Sequence, residues 1–72
     1  MKDYSCMKHR VVYLKGIKRY TANSDGSSLT NDLLQANHWY IDIPVEDIMK
    51  HLRPDLRDQA EIFVIIISAM IL

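Results

Sequence analysis

The C-terminal segment constrains the fold of this 72-residue chain most strongly, because it is almost entirely apolar. From Ile62 to Leu72, every residue except Ser68 is apolar. A membrane-spanning helix needs roughly 20 such residues, so the segment is too short to be a typical membrane span. We expect it to be buried in the core, with membrane association as an alternative. Burial against a second copy would instead make the chain a homodimer through Ile62–Leu72.

Two conformations fit this apolar segment. In a helix, Leu56, Phe63 and Ile67 would share one face. A strand is the alternative, since five of the six residues 62–67 are β-branched. We predict the helix, because residues 57–61 lead into the segment without a turn signal.

The N-terminal part predicts a β-hairpin. Residues 10–14 are rich in β-branched and aromatic side chains, which favour a strand. Lys15–Gly16 fits a two-residue turn, since glycine readily adopts a positive φ. Residues 17–21 would return as the second strand, with Leu14 paired to Ile17.

A polar loop and a short helix are predicted next. Every residue of 22–28 except Ala22 is a small polar residue or glycine, and the segment contains the turn pair Asp25–Gly26. A serine at 27 or 28 can cap the helix that follows, since its oxygen accepts from a free N–H group of the first turn. This helix would end near Asn37.

The clearest strand pattern is found at residues 38–43, where polar and apolar side chains alternate. The alternation places Trp39 on the buried face and Tyr40 on the exposed face. Pro44 then ends the strand and opens an amphipathic helix, with apolar residues at helical spacing over residues 45–52.

Together these elements predict one small α+β domain over residues 1–72, of which residues 1–6 are flexible. Its small antiparallel sheet consists of the N-terminal hairpin and the strand 38–43. Two or three helices pack on one face of that sheet, since a sheet of this kind must bury its apolar side.

Charge is unevenly distributed, although nine basic and nine acidic residues balance. Residues 1–20 contain six cations and one anion, whereas residues 21–49 contain five anions and no Lys or Arg. The two regions could neutralise each other in the fold, or form separate basic and acidic surfaces for different partners. The second interpretation gives two candidate partner-binding sets. The basic hairpin set is Lys8, Arg10, Lys15, Lys18, Arg19 and Tyr20, and the acidic and aromatic set is Tyr40, Asp42, Glu46 and Asp47.

No residue pattern indicates catalysis. The chain has no phosphate-binding glycine loop and no nucleophile motif, and we expect a non-enzyme without a cofactor. No metal site is expected, because the three histidines, His9, His38 and His51, are far apart in sequence and the chain has only one cysteine. The single Cys6 fits a reducing cytoplasm.

These observations predict a small cytoplasmic regulator that acts through protein–protein interaction. Its expected partner is a larger macromolecular machine, such as the transcription or nucleic-acid-handling machinery of a host bound by a phage or mobile-element protein. Docking would be electrostatic and steric. One alternative is direct DNA or RNA binding by the basic hairpin. Another is a self-associating or membrane-associated protein that uses its apolar C-terminus.

Overall fold

Strand β1, Met7–Leu14, is the central strand of a five-stranded antiparallel sheet. The structure is a computed structural model that describes residues 7–67, with the side chains of residues 8–66. The predicted flexibility of residues 1–6 therefore lies outside the described residues. So do residues 68–72, the end of the apolar segment.

The other four strands flank β1 on both sides. On one side, β1 pairs with β2, Arg19–Thr21, and with β4, Trp39–Tyr40. Strand β3, Leu29–Thr30, pairs with the outer side of β2. On its other side, β1 pairs along its whole length with β5, Ala60–Ile67. The fold is thus α+β, and its sheet is larger than the sequence predicted.

The apolar C-terminal segment is a strand as far as residue 67, and the predicted helix there is wrong. All eight residues of β5 pair with β1, from Ala60 opposite Leu14 to Ile67 opposite Met7. The β-branched run has a strand-forming preference, and β1 offers it an uninterrupted partner of equal length. Pairing across the sheet therefore outweighs the helical spacing of the apolar residues.

The structure contains one α-helix among the described residues, so the predicted two or three helices are not confirmed. Helix α1 spans Val45–His51, and a 3-10 helix spans Pro54–Gln59. Where a helix was predicted after the polar loop, Leu29–Thr30 pairs with β2 instead. Only a 3-10 turn, Leu33–Gln35, follows, and Asp32 caps it by accepting a hydrogen bond from Leu34 N at 3.0 Å.

The predicted hairpin exists, but its turn is longer than two residues. Tyr13 pairs with Tyr20 and Leu14 with Arg19, which leaves four residues in the turn. The positive φ of 65° belongs to Lys18 and not to Gly16. The predicted pairing of Leu14 with Ile17 is therefore wrong by two positions.

The strand predicted at residues 38–43 is also shorter than expected. Its pairing with β1 is limited to Trp39–Tyr40. A turn follows, in which Ile43 N donates to Tyr40 O at 3.0 Å. The chain thereby leaves the sheet and begins α1 after Pro44, which lies at the cap position of the helix.

The core lies between one face of the sheet and the two helical segments. Val12 and Leu14 of β1 are buried there, together with Trp39. Ile48 of α1, with Leu52 and Leu56, completes the buried cluster. The prediction that Trp39 is a core residue is confirmed, since its side chain is 9% exposed. None of the helices in the described range has the length and hydropathy that a membrane crossing requires.

Candidate protein-interaction surfaces

The outer edge of β5 is open in the part of the chain that the structure describes, where β5 pairs only with β1. Lys15 N donates to Gln59 O at 2.9 Å. This bond determines which residues of β5 direct their main-chain N–H and C=O groups toward β1. Main-chain groups alternate in direction along an antiparallel strand. The N–H and C=O groups of Ile62, Val64 and Ile66 therefore face away from β1, toward the open edge.

The side chains along this edge are largely apolar and exposed. Phe63 is 43% exposed, Val64 53% and Ile66 60%. Glu61 is the one charged residue of β5. Proteins usually protect an edge strand by charge, proline or a covering element. A strand of eight residues with one charged side chain and free main-chain groups along one edge is suited to pairing with another extended chain. The β-branched run of residues 62–67 is the sequence signal for this edge, although the helical spacing of its apolar residues predicts a helix.

The face of the sheet that points away from α1 is rich in aromatic residues. The rings of Tyr13 and Tyr20 meet edge to face with centroids 5.1 Å apart, and Phe63 lies 6.3 Å from Tyr13. Val11 is fully buried among them. Glu61 lies opposite Tyr13 in the ladder, on the same face. We call this group the aromatic face: Tyr13, Tyr20, Phe63 and Val11.

Two histidines connect β1 to the segment before β4. His9 Nδ1 and His38 Nδ1 are 3.2 Å apart, and His38 Nε2 lies 3.1 Å from Leu33 O. A carbonyl oxygen can only accept, so His38 donates through Nε2. With His38 neutral, its Nδ1 then accepts from His9. These contacts indicate a structural role for both imidazoles.

Part of the basic hairpin set lies together at the β1–β2 turn. We call this cluster the basic turn: Lys15, Lys18 and Arg19, all exposed. In the described residues no carboxylate lies within 4.0 Å of these cations, and the one ion pair there joins Arg53 to Asp55 at 3.3 Å.

Tyr20 follows the basic turn directly and is half-buried on the aromatic face. Gln59, which immediately precedes β5, holds the turn in place through two hydrogen bonds. Its main-chain oxygen accepts from Lys15 N at 2.9 Å, and its Oε1 accepts from Ile17 N at 3.0 Å. The three cations of the basic turn are therefore attached to a turn whose backbone is tied to the sheet.

Lys8 and Arg10 lie apart from the basic turn. Lys8 is near the opposite end of β1, about 20 Å from Lys15 at the usual rise per residue of a strand. The Arg10 side chain is half-buried, and its Nη1 donates to Ile41 O at 2.8 Å and to Ile43 O at 2.5 Å. Arg10 therefore anchors the β4–α1 connection, and the structure does not bring the six predicted residues into one patch.

The acidic and aromatic set is likewise divided. Tyr40 and Asp42 line a shallow depression together with Lys8, and no ion pair forms between Asp42 and Lys8. Tyr40 is 66% exposed, which agrees with the exposure predicted from the alternation. Glu46 and Asp47 lie in the first turn of α1, where negative charge is favoured by the helix dipole.

Further along α1, the charges are again mixed. Glu46 lines a second depression with Lys50 and Arg57. The main-chain oxygen of Asp47 accepts a hydrogen bond from His51 Nδ1 at 2.8 Å. Within 4.0 Å, neither the acidic residues of this set nor the basic turn forms an ion pair among the described residues, where only Arg53 and Asp55 do.

No metal-binding cluster is found among residues 8–66, where groups of three or more His, Cys, Asp or Glu side chains do not converge. The contacts that the structure gives to His9, His38 and His51 are with each other, with main-chain oxygens and with aromatic rings.

Comparison with known proteins gives no relative: no family model, no curated protein and no solved structure matches this chain.

Proposed function

We propose that this chain is a non-enzymatic regulatory protein that binds an acidic surface of a larger protein assembly through its basic turn. The observation that supports this most directly is the set of contacts around that turn. Lys15, Lys18 and Arg19 are exposed, and no carboxylate of the described residues neutralises them. The main chain that carries them is tied to Gln59 by two hydrogen bonds.

Exposed cations of this kind mainly raise the rate at which the protein encounters an acidic partner. A positive cluster steers an acidic partner toward itself and fixes its orientation, and the effect weakens as salt is added. A turn that is already ordered loses less conformational freedom when it binds. Tyr20 adjoins the cluster and supplies an aromatic contact of the type found at interface centres.

Direct nucleic-acid binding is the second candidate, since aromatic rings lie beside the basic turn. Single-stranded nucleic acids bind to sheets by stacking bases on exposed ring faces. Here, however, Tyr13 and Tyr20 are half-buried and pack edge to face against each other. Glu61 also lies opposite Tyr13 on the same face, where it would repel phosphates. These two features favour a protein partner.

We extend this proposal to the kind of assembly that is bound. Transcription and nucleic-acid-handling machines carry acidic patches beside basic channels. A small protein that covers such a patch can block or redirect the machine by steric hindrance, as phage and mobile-element regulators of host machinery do. The single cysteine supports action in the reducing cytoplasm.

The experiment measures fluorescence anisotropy with defined probes. A labelled peptide of alternating Glu and Tyr, a labelled single-stranded oligonucleotide and a labelled duplex are titrated with the full chain at low and moderate salt. We expect the acidic peptide to bind and its affinity to fall with salt. Lys18→Glu should weaken peptide binding by at least fivefold. Lys50→Glu is the matched control, because Lys50 is equally exposed but lies on α1.

Each outcome decides the proposal. Weaker peptide binding in Lys18→Glu, with the control unchanged, supports it. Equal loss in both variants means that only net charge matters, and the basic turn is then not the site. If either oligonucleotide binds more tightly than the peptide, with a steep salt dependence, the nucleic-acid candidate replaces the proposal.

A further inference from the structure

We propose that β5 is a dimerisation strand, which pairs antiparallel with β5 of a second copy about a two-fold axis at Val64. The two sheets would join into one continuous sheet. This inference uses the open edge of the strand and is independent of the basic turn.

The main-chain groups along the open edge of β5 are arranged to pair with another extended strand. Ile62, Val64 and Ile66 direct their N–H and C=O groups to the open edge, as the phase of the β1–β5 ladder requires. In the Val64-centred register, Val64 forms a hydrogen-bonded pair with its own copy, and Ile62 pairs with Ile66. About six main-chain hydrogen bonds would form between the two copies.

The side chains are complementary to themselves in this register. Ile62, Val64 and Ile66 of both copies would form one apolar row on the face that carries α1. On the aromatic face, Phe63 would lie beside Ile65 of the second copy, an aromatic and β-branched pair of the type that stabilises sheets. The exposed fractions of Phe63, Val64 and Ile66, all above 40%, are the surfaces that this pairing would cover.

The low charge of β5 also favours a second copy of this strand, rather than a charged peptide, as the partner of the open edge. Glu61 is the one charged residue of β5, and it would lie opposite Ile67 of the second copy. The two carboxylates are then separated by the length of the paired strands, so no like charges meet. A partner strand must be apolar or nearly so on both faces over the six residues opposite 62–67, and β5 itself, with Glu61 at one end, meets that requirement.

The topology explains why pairing would stop at two copies. The other edge strands of the described sheet, β3 and β4, are two residues long each. Two-fold pairing covers the β5 edge of both copies, so only the short edges at β3 and β4 stay open in the described sheet. In the dimer, the two basic turns would lie at opposite ends of the joined sheet, about 40 Å apart at usual strand dimensions.

The test is sedimentation equilibrium of the full chain over a wide concentration range. We expect a monomer–dimer equilibrium for the natural sequence. Val64→Lys places two like charges opposite each other at the two-fold axis and should raise the dissociation constant at least tenfold. Its matched control is Leu34→Lys, because Leu34 is 78% exposed and belongs to the 3-10 turn Leu33–Gln35, outside the strand ladder. Circular dichroism of both variants checks that the sheet is retained.

A symmetric disulfide tests the register. Cys6→Ser is combined with Val64→Cys, and oxidation should yield a covalent dimer in high yield, since paired Cα atoms of about 5.5 Å separation suit a disulfide. The same experiment with Leu34→Cys should yield little dimer.

Three results would overturn the inference: a monomer at all concentrations, a dimer that survives Val64→Lys unchanged, or growth into larger assemblies. If Val64→Lys unfolds the chain, the disulfide experiment alone decides. Failure here is distinguishable from failure of the proposed function, because Lys18→Glu should leave the dimer intact.

Discussion

Gln59 accepts a hydrogen bond from Ile17 N through its side-chain oxygen Oε1, at 3.0 Å. Ile17 lies in the middle of the β1–β2 turn, whereas Gln59 immediately precedes β5. This one side chain therefore connects the candidate partner-binding turn to the candidate dimerisation strand. The main-chain oxygen of Gln59 adds a second bond, from Lys15 N.

Gln59→Ala should loosen the basic turn without unfolding the sheet. The variant removes the Oε1 contact and keeps the main-chain bond, so the free energy of unfolding should fall by about 1 kcal/mol. The amide of Ile17 should exchange with solvent faster. Urea denaturation and amide hydrogen exchange measure the two effects. Gln35→Ala is the control, since Gln35 is exposed in the 3-10 turn Leu33–Gln35; equal effects in both variants would contradict the role of Gln59.

The two glycines should differ strongly in their tolerance of alanine. Gly26 has a φ of 85°, and a Cβ there would lie 2.6 Å from Leu56 Cδ1. Gly16 has no positive φ, and its Cβ would meet the mobile end of the Gln59 side chain at 2.8 Å. Gly26→Ala therefore suffers both backbone strain and a clash with the core.

We expect Gly26→Ala to lower the free energy of unfolding by about 2–3 kcal/mol, since backbone strain and core overpacking each cost on the order of 1 kcal/mol or more. Gly16→Ala should cost about 1 kcal/mol, because displacing the Gln59 amide loses one hydrogen bond. Thermal and urea denaturation of both variants provide the comparison. A Gly16 variant that is the less stable of the two would show that this account of Gly26 is wrong.

Arg10 should matter for stability and not for partner binding. Its guanidinium donates to the main-chain oxygens of Ile41 and Ile43, and both bonds involve a charged donor. Arg10→Met keeps the apolar part of the side chain and removes these bonds. The free energy of unfolding should fall by about 2 kcal/mol, the usual size for hydrogen bonds to charged groups.

Lys8→Met is the matched control for Arg10, since Lys8 lies two residues earlier on the same face of β1 and is exposed. It should change stability by less than about 0.5 kcal/mol, as exposed substitutions usually do. Urea denaturation measures both variants. Folded Arg10→Met protein should bind the acidic peptide as the natural sequence does. A selective loss of peptide binding would instead show that Arg10 belongs to the binding surface.

The sequence predicted local features well where one interaction dominates. The alternation around Trp39 correctly separated a buried indole from the exposed Tyr40 ring. Pro44 correctly marked the beginning of α1, although the strand before it ends earlier, at Tyr40. In both cases, the deciding physics lies within a few neighbouring residues.

Long-range pairing could not be predicted in the same way. Residues 62–67 have apolar side chains that satisfy either a helix or a strand, and the choice depends on β1, about fifty residues earlier, which offers an open side of equal length. The role of Arg10 was likewise hidden, because Ile41 and Ile43 reach it only through the β4–α1 turn. Sequence charge counts therefore overestimated the basic surface.

Asp25 provides a pH-dependent prediction in the polar loop. Its carboxylate accepts a hydrogen bond from Ser27 N at 2.9 Å, and this bond, with further help from the Ser27 side chain and the Arg53 charge, lowers the pKa of Asp25 below its ordinary 3.8. A lowered folded-state pKa stabilises the fold fully above the unfolded-state pKa. That contribution is lost as the pH falls through the folded-state pKa.

The natural sequence should therefore lose more stability than Asp25→Asn when the pH is lowered from about 5 to 2, since the amide does not titrate. The effect is small because the carboxylate is exposed. NMR titration of the Asp25 carboxyl carbon should give a midpoint below 3.8, and urea denaturation across the same pH range should show the difference between the two proteins. A midpoint at or above 3.8 would show that the Ser27 amide does not hold the carboxylate in solution, and the loop would then not be ordered by this bond.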